Sequence, residues 1–170
     1  EEMTVENIIP QHLESLLSKL EEIGVEMKVD IDKVTIKGRN PHLKATDIKT
    51  LPYPGFATDI QQPLTALLTQ AEGQSIVTET IYTERFKHCH ELNKMGANIN
   101  VMVPSSFING PTRLSGAEVV ATDLRCGACL VIAGLIADGI TEISEIYHID
   151  RGYENIEDSF KTLGAEIKRI

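Results

Sequence analysis

Two aspartates and two arginines sit at matched places in this chain, with a third arginine close to one of the aspartates. Asp59 and Asp123 each follow a threonine, Arg85 and Arg151 come three and four residues after Tyr82 and Tyr147, and Arg125 lies two residues beyond Asp123. A carboxylate within hydrogen-bond reach can take a proton from a hydroxyl or orient it. Guanidinium forks match the oxygens of phosphate and carboxylate. Together these types suit a site where a hydroxyl meets a small anion. Each also has a plainer reading. Thr and Asp are preferred where a helix begins, and an arginine on a loop is usually solvated or in a weak surface pair. The matching of both types in two copies shifts the weight toward chemistry, because a helix cap has no need of a matched arginine.

The copies are long. TDIQQPLTALLTQAEGQSIVTETIYTERF (58–86) aligns with TDLRCGACLVIAGLIADGITEISEIYHIDRGY (122–153), placing Gly73 over Gly139 and Tyr82 over Tyr147, and both run on to Met95-Gly96-Ala97 and Leu163-Gly164-Ala165. Such self-similarity marks a fold built from repeated supersecondary units. Each unit reads helix, strand, helix, strand. The second unit has a helix over about 59–71, opened by a capping-box spacing Thr58-x-x-Gln61, a β-branched strand over Ile76–Tyr82, a helix over 85–95 stopped by Gly96, and a strand over 98–103. The third unit has helices at 124–137 and 153–163 and strands at 140–147 and 165–170. Pro104–Leu114, with Asn109-Gly110-Pro111, reads as a turn-rich connector, as does Arg39–Pro54 with its three prolines. Residues 10–28 match only the second half of a unit, with Gly24 in the place of Gly96 and Gly164. With a chain that opens on Glu1-Glu2, this suggests the trailing part of a larger protein: one domain, 1–170, made of a half-unit 1–52 and units 53–113 and 114–170.

Leu130–Ala137 is apolar all round and should be buried on every side, whereas residues 13–23 alternate leucines with Glu14, Lys19, Glu21 and Glu22 and should lie on a surface. Central helices with sheets outside satisfy both. The 170 residues can bury a real core, and 42% hydrophobic and 24% charged residues describe a globular chain. A net charge of −9 argues against nucleic acid or an anionic membrane as partner, and no run approaches the roughly 18 apolar residues of a membrane span. Three cysteines make an unlikely disulfide framework and favour a cytoplasmic setting. Cys126-Gly127-Ala128-Cys129 has CxxC spacing, and His88-Cys89-His90 could complete a zinc or redox site. The competing reading is packing of small side chains in a buried helix.

YPGFATDIQQP (53–63), ETIYTERF (79–86), LSGAEVVATDLRCGACLVIAGLIADG (114–139) and EIYHIDRGYENIEDSFKTLGAEI (145–167) resemble the carboxyl-terminal part of the UDP-N-acetylglucosamine 1-carboxyvinyltransferases, which belong to the enolpyruvyl transferases. The resemblance implies an inside-out α/β barrel of repeated βαβαββ units, with buried central helices and sheets outside. It implies transfer of the enolpyruvyl group of phosphoenolpyruvate to the 3-hydroxyl of UDP-N-acetylglucosamine with release of phosphate, the first committed step of peptidoglycan synthesis. No cofactor or metal is implied. By the same resemblance Asp59 is the general base contacting the hydroxyl, Asp123 lines the reaction centre, and Arg125 and Arg151 hold phosphoenolpyruvate with Arg85 beside them. Ile81 offers a backbone contact to the sugar nucleotide, and Tyr82 stands where a phenylalanine-like neighbour is usual. The family's reactive cysteine lies on a mobile loop of an amino-terminal domain and matches none of the cysteines here. The implied partner is therefore that domain, and the isolated 170 residues are expected to be inactive. A non-catalytic repeat scaffold and a CxxC redox or zinc protein remain the alternatives.

Overall fold

The computed structural model describes residues 2–38 and 42–170, so the first residues of the 39–54 connector lie outside it. The chain begins with a three-stranded antiparallel sheet, β1 (Glu2–Glu6), β2 (Met27–Val29) and β3 (Lys33–Lys37), with β3 in the middle. A 3-10 turn at Pro10–Leu13 and helix α1 (Glu14–Ile23) lie between β1 and β2. Helix α1 forms because Leu16, Leu20 and Ile23 fall on one face. That face meets the main core, and Ile23 is fully buried.

The second sheet holds β4 (Ile48–Lys49), β5 (Gly73–Thr78), β6 (Asn98–Met102) and β7 (Ser105–Gly110) in the order β4-β5-β7-β6. Helix α2 (Thr58–Leu68) carries the chain from β4 to β5, which run parallel, and α3 (Lys87–Lys94) joins β5 to β6. The third segment repeats the plan: β8 (Glu118–Val120) and β9 (Glu142–Ser144) are parallel, with α4 (Leu124–Ile136) between them. Helices α5 (Tyr147–Asp150) and α6 (Ile156–Thr162) follow. Parallel strands require such a crossover, so the repeat in sequence is a repeated strand–helix–strand turn in space. The matched glycines agree with it. Gly24, Gly96 and Gly164 close α1, α3 and α6 at φ of 100°, 96° and 90°, a left-handed conformation that a Cβ penalises.

Helices α2 and α4 pack against each other at the centre. Leu64, Ala66, Leu68, Cys126, Cys129 and Leu130 form the middle of the core, with Val77, Ile108 and Val119 reaching in from the sheets. In β5 and β7 alternate residues turn inward, Ser75 and Val77 in one, Ser106 and Ile108 in the other. This is the expected arrangement of buried helices and outer sheets. No helix among the described residues is long and apolar enough to cross a membrane.

Several expected elements change. The connector at 104–114 contains β7, the strand paired on both sides by β5 and β6. Only Phe107 and Ile108 of Ser-Ser-Phe-Ile-Asn-Gly favour a strand, and pairing with β5 and β6 carries the weak residues on either side of them. Strand β5 stops at Thr78 rather than Tyr82 because the next carboxylate folds the chain into a turn, as described below. The 140–147 strand shortens to Glu142–Ser144, and the 153–163 helix begins only at Ile156. Residues 165–170 form no strand. The last turn of α4 is not enclosed: Leu135 and Ile136 are exposed, because the packing of α2 against α4 covers only its earlier turns.

Candidate active site at the shared end of α2 and α4

Helix α2 starts without the expected capping box. Its N-cap is Ala57, Gln61 is fully buried, and neither of its amide atoms has a partner. Thr58 and Asp59 instead occupy the first turn and point to other segments. Arg125 grips the Asp59 carboxylate with both arms of its fork, Nε to Oδ1 at 2.9 Å and Nη2 to Oδ2 at 2.7 Å. Arg85 Nη1 donates to Oδ1 at 3.3 Å and to Thr58 Oγ1 at 3.0 Å. The Arg125 bonds, and then those of Arg85, hold the Asp59 carboxyl below its ordinary range against an opposing push from burial. The Asp59 side chain is still 54% exposed, against 34% for Arg125 and 20% for Arg85, so the carboxylate lies open to a ligand while its arginines are anchored behind it.

Asp123 does something different. It is the N-cap of α4, and its Oδ1 accepts from the backbone N–H of Arg125 at 2.9 Å and of Cys126 at 3.0 Å. The capping reading thus holds for one aspartate of the matched pair and fails for the other. Because Asp123 fixes the first turn of α4, it also fixes the backbone from which Arg125 crosses to Asp59.

The 79–86 segment brings Arg85 and Ile81. The Arg85 guanidinium stacks over the Tyr82 ring, 4.1 Å from its centroid. Ile81 is partly exposed, but its N–H is already used, donating to Glu79 Oε1 at 2.8 Å. Its carbonyl, which accepts no bond among the described residues, is the backbone group it can offer. Glu79 itself is the residue that sequence reading passed over. It is fully buried, and its oxygens accept from Thr50 Oγ1, Thr58 Oγ1, Ile81 N and Tyr82 N. Burial alone would raise its carboxyl, but those four donors outweigh it and keep the group below its usual value. The available signal was register: Ser75, Val77 and Glu79 share the inward phase of β5, and an acid in a buried phase must be satisfied.

Arg151 stands apart from the Asp59 cluster. It is exposed at the end of α5 and lines a groove of about 690 Å³ with Tyr153, Asn155 and Arg169. Two glycines press its segment onto α4. A Cβ on Gly127 would lie 2.4 Å from Ile149 Cγ1, and one on Gly152 would lie 2.7 Å from Leu124 Cδ2. Arg151 is therefore carried on a segment in contact with the residues flanking Arg125, without itself touching Asp59.

The cysteines lie behind this cluster in the core. Cys89, Cys126 and Cys129 are free and buried. Burial pushes all three thiols up, Cys89 to about 12, which favours the protonated, packing form over thiolate chemistry. No group of three or more His, Cys, Asp or Glu side chains suited to a metal occurs among the described residues.

Known proteins resemble this chain along nearly its whole length. The chain is 58% identical over 168 residues to UDP-N-acetylglucosamine 1-carboxyvinyltransferase 2 of Bacillus cereus and 55% identical to that of Bacillus subtilis, with 99% of the chain and 39% of each relative covered. A UDP-N-acetylglucosamine 1-carboxyvinyltransferase of Clostridium botulinum is 55% identical, with 40% of its length covered. The chain thus spans about two fifths of the length of these relatives. Among solved structures, the enolpyruvyl transferase NikO from Streptomyces tendae superposes with a TM-score of 0.92 at 27% identity, covering 99% of this chain and 40% of that one. EPSP synthase from Acinetobacter baumannii, at 18% identity and a TM-score of 0.76 over the same shares, has the same fold. The model of the EPSP synthase (3-phosphoshikimate 1-carboxyvinyltransferase) family matches residues 1–160, and with that match, these relatives and this fold, the chain belongs to that family of enolpyruvyl transferases.

Proposed function

We propose that the protein carrying this chain transfers the enolpyruvyl group of phosphoenolpyruvate to the 3-hydroxyl of UDP-N-acetylglucosamine, and that this chain forms one wall of the cleft. The observation that carries the reading is the open Asp59 carboxylate gripped by Arg125 and Arg85. It puts a proton acceptor and two cations at one point. The relatives' names supply the substrate class.

In this reading the arginines serve the anion first. The phosphate and carboxylate of phosphoenolpyruvate compete for the guanidinium forks of Arg125 and Arg85, with Arg151 closing from the α5 segment. As Arg125 turns to the anion, Asp59 loses its strongest bonds and its basicity rises. It then takes the proton of the sugar 3-hydroxyl as that oxygen bonds to C2 of the enol phosphate, while an acid of the cleft gives a proton to C3. The resulting tetrahedral adduct returns a C3 proton to that group as the C2–O bond to phosphate breaks, which regenerates the double bond in the enol ether product. Asp123, with Oδ1 committed to capping, keeps Oδ2 for positioning and proton handling. The Ile81 carbonyl faces the sugar nucleotide. The reactive cysteine and the opposite wall belong to an amino-terminal domain, and the setting is cytoplasmic.

The test is phosphate release from phosphoenolpyruvate and UDP-N-acetylglucosamine by the full-length protein. Asp59→Asn is expected to lower kcat by about 100-fold or more. Near-normal turnover would remove Asp59 as the base. The 170-residue chain alone is expected to release no phosphate.

A further inference from the structure

We infer that Glu79, acting through the Thr58 hydroxyl, positions Arg85 for its anionic ligand. This rests on the reading of Arg85 as a substrate cation. Glu79 is fully buried, and its two oxygens are used unequally. Oε1 accepts from Thr50 Oγ1 at 2.7 Å, Ile81 N at 2.8 Å and Tyr82 N at 3.0 Å. Oε2 accepts only from Thr58 Oγ1, at 2.8 Å. The first set shapes the 79–82 turn, and the second reaches the start of α2.

A hydroxyl has one proton and two lone pairs. The Thr58 proton goes to Glu79, so only its lone pairs face Arg85, whose Nη1 donates to it at 3.0 Å. The buried carboxylate thereby fixes the hydroxyl as an acceptor aimed at Arg85. Tyr82, whose N–H is held by the same Glu79 oxygen that holds Ile81, places its ring under the guanidinium. One buried charge thus sets two of the three contacts that hold Arg85, the Thr58 lone pairs and the Tyr82 face, the third being the longer bond to Asp59. That leaves Arg85 Nε and Nη2 without a hydrogen-bond partner among the described residues and available to an anion. Glu79 and Thr58 are positioning residues in this scheme, and neither needs to touch substrate.

The experiment uses Thr58→Val, Thr58→Ser and the near-isosteric Glu79→Gln in the full-length protein. Thr58→Val should raise KM for phosphoenolpyruvate about tenfold, the scale of a lost hydrogen bond to a charged group, and leave KM for the sugar nucleotide within about twofold. Thr58→Ser should behave as wild type. Glu79→Gln keeps an acceptor for the turn but leaves the Thr58 proton unplaced, and should shift the same KM in the same direction. In parallel, ¹⁵N NMR of the Arg85 side chain should show restricted rotation about Nε–Cζ in wild type and Thr58→Ser, and averaging in Thr58→Val. Free rotation in wild type, or restriction that survives Thr58→Val, overturns the relay. So does an Arg85 freed by Thr58→Val with no change in phosphoenolpyruvate KM. Restriction that tracks the hydroxyl in a protein that transfers no enolpyruvyl group leaves the relay standing and removes the functional reading instead.

Discussion

Gly127 lies in the second turn of α4, and replacing it by alanine sets two effects against each other. In an ordinary helix interior the change should stabilise by about 0.5–1 kcal/mol, because glycine loses more backbone freedom on folding. Here the new methyl would lie 2.4 Å from Ile149 Cγ1 and 3.0 Å from its Cδ1. Ile149 is itself buried, packed with Ala121 and Val131 in the second hydrophobic cluster, so it has no open space to move into. Overpacking of this kind costs about 1–3 kcal/mol, and the clash should win by about 1 kcal/mol. The full-length Gly127→Ala protein should melt lower by about 3 °C for this segment of the structure. Ile149→Ala should restore room, so that adding Gly127→Ala to it costs nothing or stabilises. Function should follow the geometry, since displacing α5 displaces Arg151: KM for phosphoenolpyruvate should rise more than KM for the sugar nucleotide. A Gly127→Ala protein that melts higher than wild type, as helix propensity alone demands, would refute the close approach and the seating of Arg151 that depends on it.

Three other outcomes are expected. The Asp59 carboxyl should titrate below an ordinary aspartate by ¹³C NMR and return toward it in Arg125→Met, since the Arg125 hydrogen bond is the main cause of its lowering. Because the folded value is the depressed one, the pair's contribution to stability is present above the unfolded pKa of about 3.9 and is lost as pH falls through the folded value. It should stay below about 1 kcal/mol, because both groups are well exposed to screening. His88 behaves in the opposite ionic sense, with burial holding its ring down to about 3. Below about 6.5 the unfolded chain binds a proton that the native state refuses, so stability should fall from there toward pH 3 at up to about 1.4 kcal/mol per pH unit. His88→Phe should flatten that slope in urea unfolding at several pH values, and an unchanged slope would show that another group carries it. Finally, Cys89, Cys126 and Cys129 should resist a thiol reagent at pH 8 in the native protein and all react once it is unfolded. Rapid labelling of native Cys126 or Cys129 would revive the redox reading.

Much of the fold could be read from the residues because local chemistry and repetition agreed. The glycines closing α1, α3 and α6 were legible from the end of each helical pattern, since a left-handed residue there is a local requirement. The buried centre of α4 followed from its run of apolar and small side chains. Strand β7 was not legible, because Phe107 and Ile108 are its only strand-favouring residues, between serines and a turn-like Asn-Gly, and the partners on either side extend it to six residues. Gln61 had the spacing of a capping partner but is drawn into the core, where the packing of α2 against α4 outweighs a local hydrogen bond.

For the site, the sequence by itself determined which residue types come in pairs and roughly where they fall: Asp59 and Asp123 before helices, Arg85 and Arg151 after tyrosines. It could not say that the two aspartates part company. That depends on a few ångströms at each helix start: Asp123 turns back to cap α4, whereas Asp59, two residues past the N-cap of α2, meets the fork of Arg125 from the neighbouring helix. Tertiary structure also decided that Glu79 is buried with four donors around it and that Arg151 stands apart from the Asp59 cluster, on a segment seated by glycines. Both are consequences of which atoms burial forces together, and contacts between segments so far apart in sequence leave no local pattern to read.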